Sequence, residues 1–325
     1  MEMPLRWAAG IALVAMLAGH ATTGLSQEFP VKPMRVLVPY ATSGTPDVTA
    51  RFLGQQMSAT LGQPMNVENR PGAGGLPAVQ ELIRSAPDGY TLLIADVGQY
   101  AILPALRPGS YDPVKDMQTI GQATTNSIFV MVTNRIPVKT MAEFIAFIRA
   151  RPGQYSYGSA GVGTPHHLFM EAVKAAYGLD MFHVPYKGSS QTVPAMLNGD
   201  ISICICGVTT TQQFINEGKI HALATSGKTR DKLAPTVPPA ADFGSPDLDF
   251  PSTTGYFLPV GTPRPVMDKL AAALARAVQS PEFLAREVQL GTEVAYLPAA
   301  QFAENVRAAY ARYQRVIKIA GIKAE

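Results

Sequence analysis

The sequence has little charge of either sign and no dense stripe of basic residues. Only 16% of its 325 residues are charged, and 27 Lys and Arg against 24 Asp and Glu give a formal net charge of +3. Proteins that bind nucleic acids neutralise phosphates with clustered Lys and Arg side chains. The composition therefore predicts no nucleic-acid partner.

Cysteine is scarce as well. The two cysteines, Cys204 and Cys206, lie in the apolar run at residues 201–206, which is typical of a buried strand. Side chains at positions i and i+2 of a strand point the same way, and a bridge between them would be strained. We therefore expect no disulfide, and we expect both cysteines to be small apolar side chains in a core.

Long hydrophobic runs are absent except near the N-terminus. Arg6 precedes an apolar run at residues 8–19, which small and polar residues follow. The run is too short to span a bilayer, which needs about 20 residues. The pattern predicts a signal peptide at residues 1–26, cleaved after Ala21 or Ser26, with a buried core helix or an uncleaved anchor as alternatives. We expect an exported protein, which is periplasmic if the source is Gram-negative.

Motifs for covalent chemistry, phosphate binding and metal binding are also missing. No Gly-x-Ser-x-Gly elbow, phosphate-binding loop or His-Glu-x-x-His motif occurs. His166 and His167 are adjacent, and neighbouring helix residues point about 100° apart, so the two imidazoles do not readily share one metal ion. We expect no enzyme activity, no metal and no cofactor, and we keep an undetected hydrolase or isomerase as a distant alternative.

What the sequence does contain is the composition and alternation of an α/β protein. Hydrophobic residues make up 47% of the chain, enough for a substantial core, and the length suits two domains. Short β-type runs alternate with helical patterns, which predicts mostly parallel sheets. The predicted strands are residues 34–39, 65–68, 91–95, 128–133, 155–158, 182–185, 201–206 and 220–225. The predicted helices are residues 46–61, 77–85, 140–150, 165–177, 190–197, 210–216, 263–279, 281–290 and 299–320.

We expect two α/β domains, with the second inserted into the first. Domain 1 is discontinuous and comprises residues 27–126 and 228–325, whereas domain 2 comprises residues 127–227. The segments near residues 100–127 and 222–260 are predicted to cross between the domains and to form a hinge. The three C-terminal helices are too poor in strands for a third domain, so they are expected to pack on domain 1.

The tripeptide Gly-Thr-Pro occurs at residues 44–46, 163–165 and 261–263. At the first two places it follows a predicted strand, which predicts a loop, a threonine N-cap and a proline at the first helical position. A helix start exposes unpaired backbone N–H groups and the positive end of the helix dipole. Two such starts in different domains predict one acidic ligand between them; the alternative is that Thr-Pro only opens a helix. The third copy leads into an ordinary helix and is expected to do only that.

Several polar side chains near these helix starts are further candidates. Asp47 lies in the first turn of its helix, where it complements the dipole, anchors the loop or meets a donor group of the ligand. His167 is expected to line the cleft, and Tyr186 follows a strand end as a candidate cleft wall. Arg70 is expected to form a structural salt bridge rather than to pair with a ligand carboxylate.

Ten sequence blocks in order along the chain point to a family. They are FPVKPMRVLVPY, PYATSGTPD, VENRPGAGG, APDGYTLL, YDPVKD, YGSAGVGTPHHL, HVPYKG, LNGD, LPVGTPRP and AGIKAE. Any one block is weak evidence. The ordered series, from about Phe29 to Glu325, resembles the Bordetella uptake gene (Bug) family of extracytoplasmic solute-binding proteins, the receptors of tripartite tricarboxylate transporters.

The resemblance implies a two-domain, type II periplasmic-binding-protein fold with mixed sheets flanked by helices and a ligand cleft between two lobes. It implies capture of a small organic carboxylate by hinge closure, delivery to membrane permease subunits, and a monomer. A sensor that docks on a membrane two-component kinase is the alternative. By matching motif, the resemblance assigns ligand binding to Tyr40, Ser43, Gly44, Thr45, Asp47, Gly98, Gln99, Ser159, Gly161, Gly163 and Thr164.

The chain also departs from the family pattern. Ser43 stands where the family usually has the first of two glycines, and Pro46 replaces a more common small polar residue. Residues 204–207 are apolar where many relatives have a polar group. Because this strand end lines the distal half of the pocket in the family, the difference predicts a preference for aromatic or longer aliphatic acids, dicarboxylates included, over amino acids or citrate.

Overall fold

The computed structural model describes residues 29–42, 45–186, 189–245 and 248–323. The predicted signal peptide at residues 1–26 lies outside the described residues, as do Ser43 and Gly44 of the first predicted ligand loop. The chain from Lys32 to Glu325 forms one compact unit, and its strands are divided between two sheets.

The secondary structure of the described residues alternates between strands and helices. The strands are β1 (Met34–Val38), β2 (Met65–Asn69), β3 (Thr91–Asp96), β4 (Met117–Asn126), β5 (Phe129–Thr133), β6 (Ser156–Ser159), β7 (Phe182–Pro185), β8 (Ile203–Cys206), β9 (Ile220–Thr225), β10 (Ser252–Pro259) and β11 (Glu293–Pro298). The helices are α1 (Thr45–Leu61), α2 (Leu76–Arg84), α3 (Leu103–Leu106), α4 (Met141–Arg149), α5 (Pro165–Tyr177), α6 (Ser189–Asn198), α7 (Gln212–Asn216), α8 (Arg264–Val278), α9 (Pro281–Leu290) and α10 (Ala299–Ala320). A short π-helical turn, Gly98–Ile102, leads directly into α3.

The first sheet has the strand order β11-β4-β10-β3-β1-β2. Its β1 strand pairs parallel with β2 and β3, whereas β10 pairs antiparallel with β3 and β4, and β11 antiparallel with β4. Parallel neighbours end at the same edge of the sheet, so the loops after β1 and β3 are close together. This edge is where the first half of the candidate site lies.

The second sheet has the order β7-β6-β8-β5-β9 and takes all its strands from residues 129–225. Its β6 strand is parallel to β7 and β8, and β5 is antiparallel to β8 and β9. The segment that follows β9 also packs here, because Ala234 and Val237 join the hydrophobic cluster of Phe129 and Met131. The predicted α/β fold with two mixed sheets is confirmed, while the domain boundaries stay a prediction.

One finer expectation about the sheets is wrong. Both sheets mix parallel with antiparallel pairs, so the sheets are not mostly parallel. The segments predicted to cross between the domains contain β4 and β10, which are neighbouring strands of the first sheet, and the chain passes between the sheets from β4 to β5 and from β9 to β10. The hinge itself stays a prediction. The β4 sequence, MQTIGQATTN, alternates poorly and is rich in Thr and Gln, so its strand character depends on pairing with β10 about 130 residues later in the chain.

The expectation of two unpaired cysteines is also wrong. Cys204 and Cys206 form a disulfide, and both side chains are fully buried in β8. The Cα atoms are 5.9 Å apart, which is within the range of about 4.4–6.8 Å that bridged cysteines adopt. Side chains at positions i and i+2 of a strand point the same way, and this shared direction brings the two sulfur atoms together.

A cluster of aromatic rings anchors the π-helical turn beneath the first sheet. Tyr100 lies 5.8 Å from Phe257 of β10 and 5.7 Å, edge to face, from Phe302 of α10, measured between ring centroids. The Tyr100 hydroxyl is hydrogen-bonded to the Thr253 hydroxyl. As expected, the C-terminal helices pack on the first sheet, since α8 and α10 both contact β4. Among the described residues no helix has the length and apolar character needed to cross a membrane.

Candidate functional site

A hydrogen-bonded network joins the loops after β1 and β3. The Tyr40 hydroxyl donates to Asp96 Oδ2 at 2.6 Å and accepts from Gln99 Nε2 at 3.1 Å. The Gly98 N–H donates to Asp96 Oδ1 at 2.7 Å, and a Cβ at Gly98 would lie only 2.8 Å from that oxygen. Burial raises the pKa of Tyr40 well above its usual value, and the Asp96 carboxylate adds to the effect. Tyr40 therefore keeps its proton and remains the donor to Asp96.

Asn69, the last residue of β2, connects the two ends of the first loop. Its Nδ2 group donates to the Tyr40 carbonyl at 3.0 Å and to Asp47 Oδ1 at 2.9 Å. Asp47 is 2% exposed and also pairs with Arg51 one turn along α1, at 2.9 Å. Three roles were considered for Asp47, and these contacts agree with the one in which it anchors the loop.

Arg70 belongs to a separate ion-pair network. It donates to Glu68 Oε2 and to Glu81 Oε2, both at 2.8 Å, and Arg35 contacts the same two carboxylates. The prediction that Arg70 forms a structural salt bridge is confirmed.

The second loop, residues 159–164, is fixed largely by its own side chains. The Thr164 hydroxyl donates to the Gly161 carbonyl at 2.7 Å and accepts the His167 N–H at 3.4 Å, as an N-cap residue does. The Ser159 hydroxyl accepts the Gly161 N–H at 3.1 Å. Gly161 and Gly163 have φ angles of +129° and +71°, which favour glycine, so the loop needs both residues as they are.

The three Gly-Thr-Pro copies have different outcomes. At residues 163–165 the prediction is confirmed, with Thr164 as N-cap and Pro165 at the first position of α5. At residues 44–46 helix α1 begins at Thr45 itself, and Gly44 lies outside the described residues. At residues 261–263 the helix begins at Arg264 and the Thr262 hydroxyl donates to the Pro259 carbonyl, so this threonine caps no helix.

One cavity has walls from both halves of the molecule. It measures about 310 Å³. The side of the first sheet contributes Tyr40, Ala73, Gly74, Gly98, Gln99, Ile102, Leu103, Leu106, Arg107 and Lys323, and the second loop with the start of α5 contributes Val162, Gly163, Thr164 and Pro165. A larger cavity of about 460 Å³ lies between α5 and α10, but it contains none of the predicted site residues.

Five of the predicted site residues line this cavity together, namely Tyr40, Gly98, Gln99, Gly163 and Thr164. The other described candidates lie outside its lining: Thr45, Asp47, Ser159, Gly161, His167 and Tyr186. Ser159 is fully buried and His167 is 6% exposed, so both lie behind the second loop rather than in front of it. The assignment of ligand contacts to all these residues stays a prediction.

The cavity has an electropositive character. The described lining residues include the cations Arg107 and Lys323 and no Asp or Glu. The N-terminus of α5, a helix of 13 residues, lies at the wall formed by residues 162–165. A helix N-terminus favours an anion by about 0.3–1 kcal/mol, and by up to about 2 kcal/mol where it is partly buried. The charges of the cavity therefore suit an anion.

The apolar part of the wall comes from residues that no sequence pattern indicated. Ile102 ends the π-helical turn, Leu103 and Leu106 belong to α3, and all three line the cavity. Cys204 and Cys206 are fully buried in the second sheet and do not line it. The expected distal wall at residues 204–207 is absent from the described lining. Asp96, which holds Tyr40, was also missed, although it ends a strand beside β1 just as Tyr40 follows one.

Comparisons with known proteins identify the family. The model of the tripartite tricarboxylate transporter family receptor matches residues 49–322. The UPF0065 protein in the gbd 5′ region of Cupriavidus necator is 32% identical over 97% of this chain and 96% of its own length.

Two solved structures agree with this match. The periplasmic binding protein BugD is 28% identical, with a TM-score of 0.72 over 91% of this chain and 100% of its own. R. palustris Rpa4515 with adipate is 27% identical, with a TM-score of 0.75 over 91% and 99% of the two chains. With a family match over most of its length and the two-lobe fold of these binding proteins, the chain belongs to the Bug/TctC family of tripartite tricarboxylate transporter receptors.

Proposed function

We propose that this protein is a periplasmic receptor that binds a small organic carboxylate in the cavity of Tyr40, Gln99, Gly163 and Thr164. It then delivers the acid to the membrane permease subunits of a tripartite tricarboxylate transporter. The observation that carries the proposal is the charge of the cavity, whose described lining has two cations, one helix N-terminus and no carboxylate. The signal peptide at residues 1–26 is part of the proposal, because delivery to a permease from the periplasm requires export.

The apolar wall narrows the class of acid. Ile102, Leu103 and Leu106 offer no charged partner to the middle of a ligand, so a carboxylate with an aliphatic or aromatic body fits better than a compact, fully polar acid such as citrate. Adipate, present in the related R. palustris structure, has such an aliphatic body. A cavity of about 310 Å³ has room for an acid of this size.

Binding requires no catalytic step. The ligand contacts both halves of the molecule only when the lobes are closed, so it stabilises the closed state by its differential affinity. A few charge-assisted hydrogen bonds of about 1.5–3 kcal/mol each, less the cost of ordering, reach about −8 kcal/mol, which corresponds to micromolar affinity.

A thermal-shift screen of the processed protein tests the proposal. The panel consists of adipate, malate, citrate, benzoate, terephthalate and glutamate, each followed by calorimetry where a shift occurs. We expect saturable stabilisation by adipate or an aromatic acid, and the acid should be recovered unchanged. Stabilisation by citrate alone would contradict the assignment of the apolar wall. No stabilisation by any of these acids would contradict the proposed ligand class.

A further inference from the structure

Two histidine rings are stacked directly behind the second loop. His167 lies on the first turn of α5 and His183 on β7, with ring centroids 3.9 Å apart and planes inclined by 10°. Tyr157 of β6 also stacks on His183, with ring centroids 5.0 Å apart. Neither imidazole is part of the cavity wall, so this stack supports the site from behind.

Each imidazole is hydrogen-bonded to the loop. The Gly163 N–H donates to His167 Nδ1 at 3.1 Å, and His183 Nε2 lies 2.7 Å from the Ser159 hydroxyl. The first contact defines a protonation state, because only an unprotonated Nδ1 can accept a backbone N–H. His167 therefore carries its ring proton on Nε2.

The His167 contact resembles a capping box. In that motif a Glu or Gln at the third helical position accepts a backbone N–H at the helix start while the N-cap side chain accepts another. Here His167 is the third residue of α5 and accepts from Gly163, while Thr164 accepts the His167 N–H. An imidazole thus takes the place that a carboxylate or amide usually occupies, and it adds no negative charge behind a site for an anion.

We propose that His167 is a positioning residue of the ligand site, whose Nδ1 fixes the Gly163 backbone and thereby the loop of residues 161–164. The stack on His183 holds the His167 ring in the orientation that this contact needs. The ligand role of the loop rests on the proposed function, but the shape of the loop can be measured without any ligand.

The charged groups around the stack are themselves paired. From α5, Glu171 accepts from Lys174 at 2.7 Å and from the Tyr157 hydroxyl of β6 at 2.6 Å. From β7, His183 is the remaining titratable group, and burial followed by repulsion from His167 lowers its pKa to about 4. Burial also lowers the pKa of His167, with Glu171 opposing this shift and Lys174 adding to it.

The sign of the pH dependence follows from this arrangement. A proton on His167 Nδ1 would replace an acceptor by a donor that faces the Gly163 N–H. A freed His167 has the ordinary pKa of about 6.5, so acidification below that value favours the displaced loop over the fixed one. Affinity should therefore be constant above about pH 7 and should fall at lower pH, while His183 stays neutral at pH 5.5.

Two variants separate the hydrogen bond from the bulk of the ring. His167→Asn supplies a carbonyl oxygen at about the position of Nδ1 but does not titrate, whereas His167→Phe keeps a ring for the stack and removes the acceptor. In the ligand-free protein, nitrogen-15 NMR of the imidazole should show the proton on Nε2 of His167. Hydrogen exchange of the Gly163 amide should be at least about tenfold faster in His167→Phe than in wild type, and close to wild type in His167→Asn.

Calorimetric titration with adipate at pH 7.5 and pH 5.5 then measures how His167 affects ligand affinity. We expect wild-type affinity to fall several-fold at the lower pH, His167→Asn to bind equally at both, and His167→Phe to bind about tenfold more weakly at both. A proton on Nδ1, or a Gly163 amide that exchanges no faster in His167→Phe, would overturn the positioning role. If wild type binds neither adipate nor any other acid of the screen, the proposed ligand class fails, and the NMR and exchange results still decide the role of His167.

Discussion

The first and second loops, which follow β1 and β6, both contain Gly-Thr-Pro, yet the protein holds them by different means. The first is connected across its two ends by the Asn69 amide, and the Tyr40 hydroxyl before it is bound to the Asp96 carboxylate. The second is held from behind by two stacked imidazoles. The tripeptide therefore specifies little more than a helix start, and the strands beside it decide how the loop is fixed.

The third copy sharpens this comparison. At residues 261–263 the threonine bonds back to the Pro259 carbonyl and caps no helix. None of these three residues lines the cavity to which the second copy contributes all three of its residues. The same three letters thus have a different local structure when no parallel strand ends beside them.

The largest effect on affinity is expected where the second loop meets the opposite wall. A Cβ at Gly163 would lie 2.8 Å from Leu106 Cδ1, across the cavity, and Gly163 has a φ of +71°. In Gly163→Ala the Leu106 side chain must move and the loop backbone is strained, so closure on the ligand should be hindered. We expect at least about a tenfold loss of affinity for the acid identified in the screen, or about 1.4 kcal/mol. Calorimetry measures this loss.

Gly178→Ala is the matched control, because Gly178 has a similar φ of +62° and its Cβ would have no neighbour within 4 Å. Both variants should lose about 1–2 kcal/mol of unfolding free energy from the left-handed backbone. If both also lose the same affinity, contact with Leu106 is not part of binding.

The next largest loss of affinity is expected from Asn69, whose amide group holds the first loop. Asn69→Ala removes the donor to both the Tyr40 carbonyl and the Asp47 carboxylate, and we expect about fivefold weaker binding, or about 1 kcal/mol. Arg51→Ala removes the half-exposed partner of Asp47 and the donor to Asn69 Oδ1, but leaves both Asn69 Nδ2 hydrogen bonds in place. It should change stability by at most about 0.5 kcal/mol. Calorimetric titration and urea unfolding of both variants measure affinity and stability. If Arg51→Ala weakens binding as much as Asn69→Ala does, the ion pair of Arg51 and Asp47 holds the first loop, and the Asn69 amide does not.

A smaller loss of affinity is expected when the hydroxyl of Tyr40, at the start of the first loop, is removed. Tyr40→Phe leaves Asp96 Oδ2 without its donor, so we expect about threefold weaker binding, or about 0.6 kcal/mol, and lower thermal stability. Tyr256→Phe is the control, because the buried Tyr256 hydroxyl has no partner among the described residues. Its removal should be neutral or stabilising, and a Tyr40→Phe protein as stable as this control would contradict the network.

The last expected effect is on stability at low pH rather than on affinity, and it concerns the imidazoles that hold the second loop. His183 has a pKa of about 4 in the folded protein and about 6.5 when unfolded, so the unfolded chain binds more protons between these values. Stability therefore falls as the pH drops from about 6.5 toward 4. His183→Gln cannot take up this proton, and its urea midpoint should fall less than that of wild type between pH 7.5 and pH 5. Parallel curves for the two proteins would show that His183 does not contribute.

The sequence predicted those elements whose signals are local. Helix α5 has the predicted bounds at residues 165–177, because Thr164, Pro165 and Gly178 are its N-cap, first residue and left-handed C-cap. Strands β4, β10 and β11 were missed, since their partners lie far away in the chain and their polar or irregular patterns give no period-2 signal.

The same distinction between local and distant signals applies to the site. Tyr40 and Thr164 were predicted because one follows a strand end and the other begins a helix, whereas Gln99 was predicted because its segment matches a loop of the family. All three line one cavity. His167 was expected in the cleft because it belongs to the first turn of α5, but its face of the helix packs on His183, some 16 residues later in the chain. The pairing of two rings from different elements has no signature in a single sequence.

A crystal structure of the processed protein with the acid that produces the largest thermal shift tests the proposed site most directly. We predict one carboxylate in the cavity between Tyr40 and Gln99 on one side and Gly163 and Thr164 on the other. The body of the acid should lie on Ile102, Leu103 and Leu106. An acid bound elsewhere, such as the 460 Å³ cavity between α5 and α10, would contradict the claim that these two loops form the site.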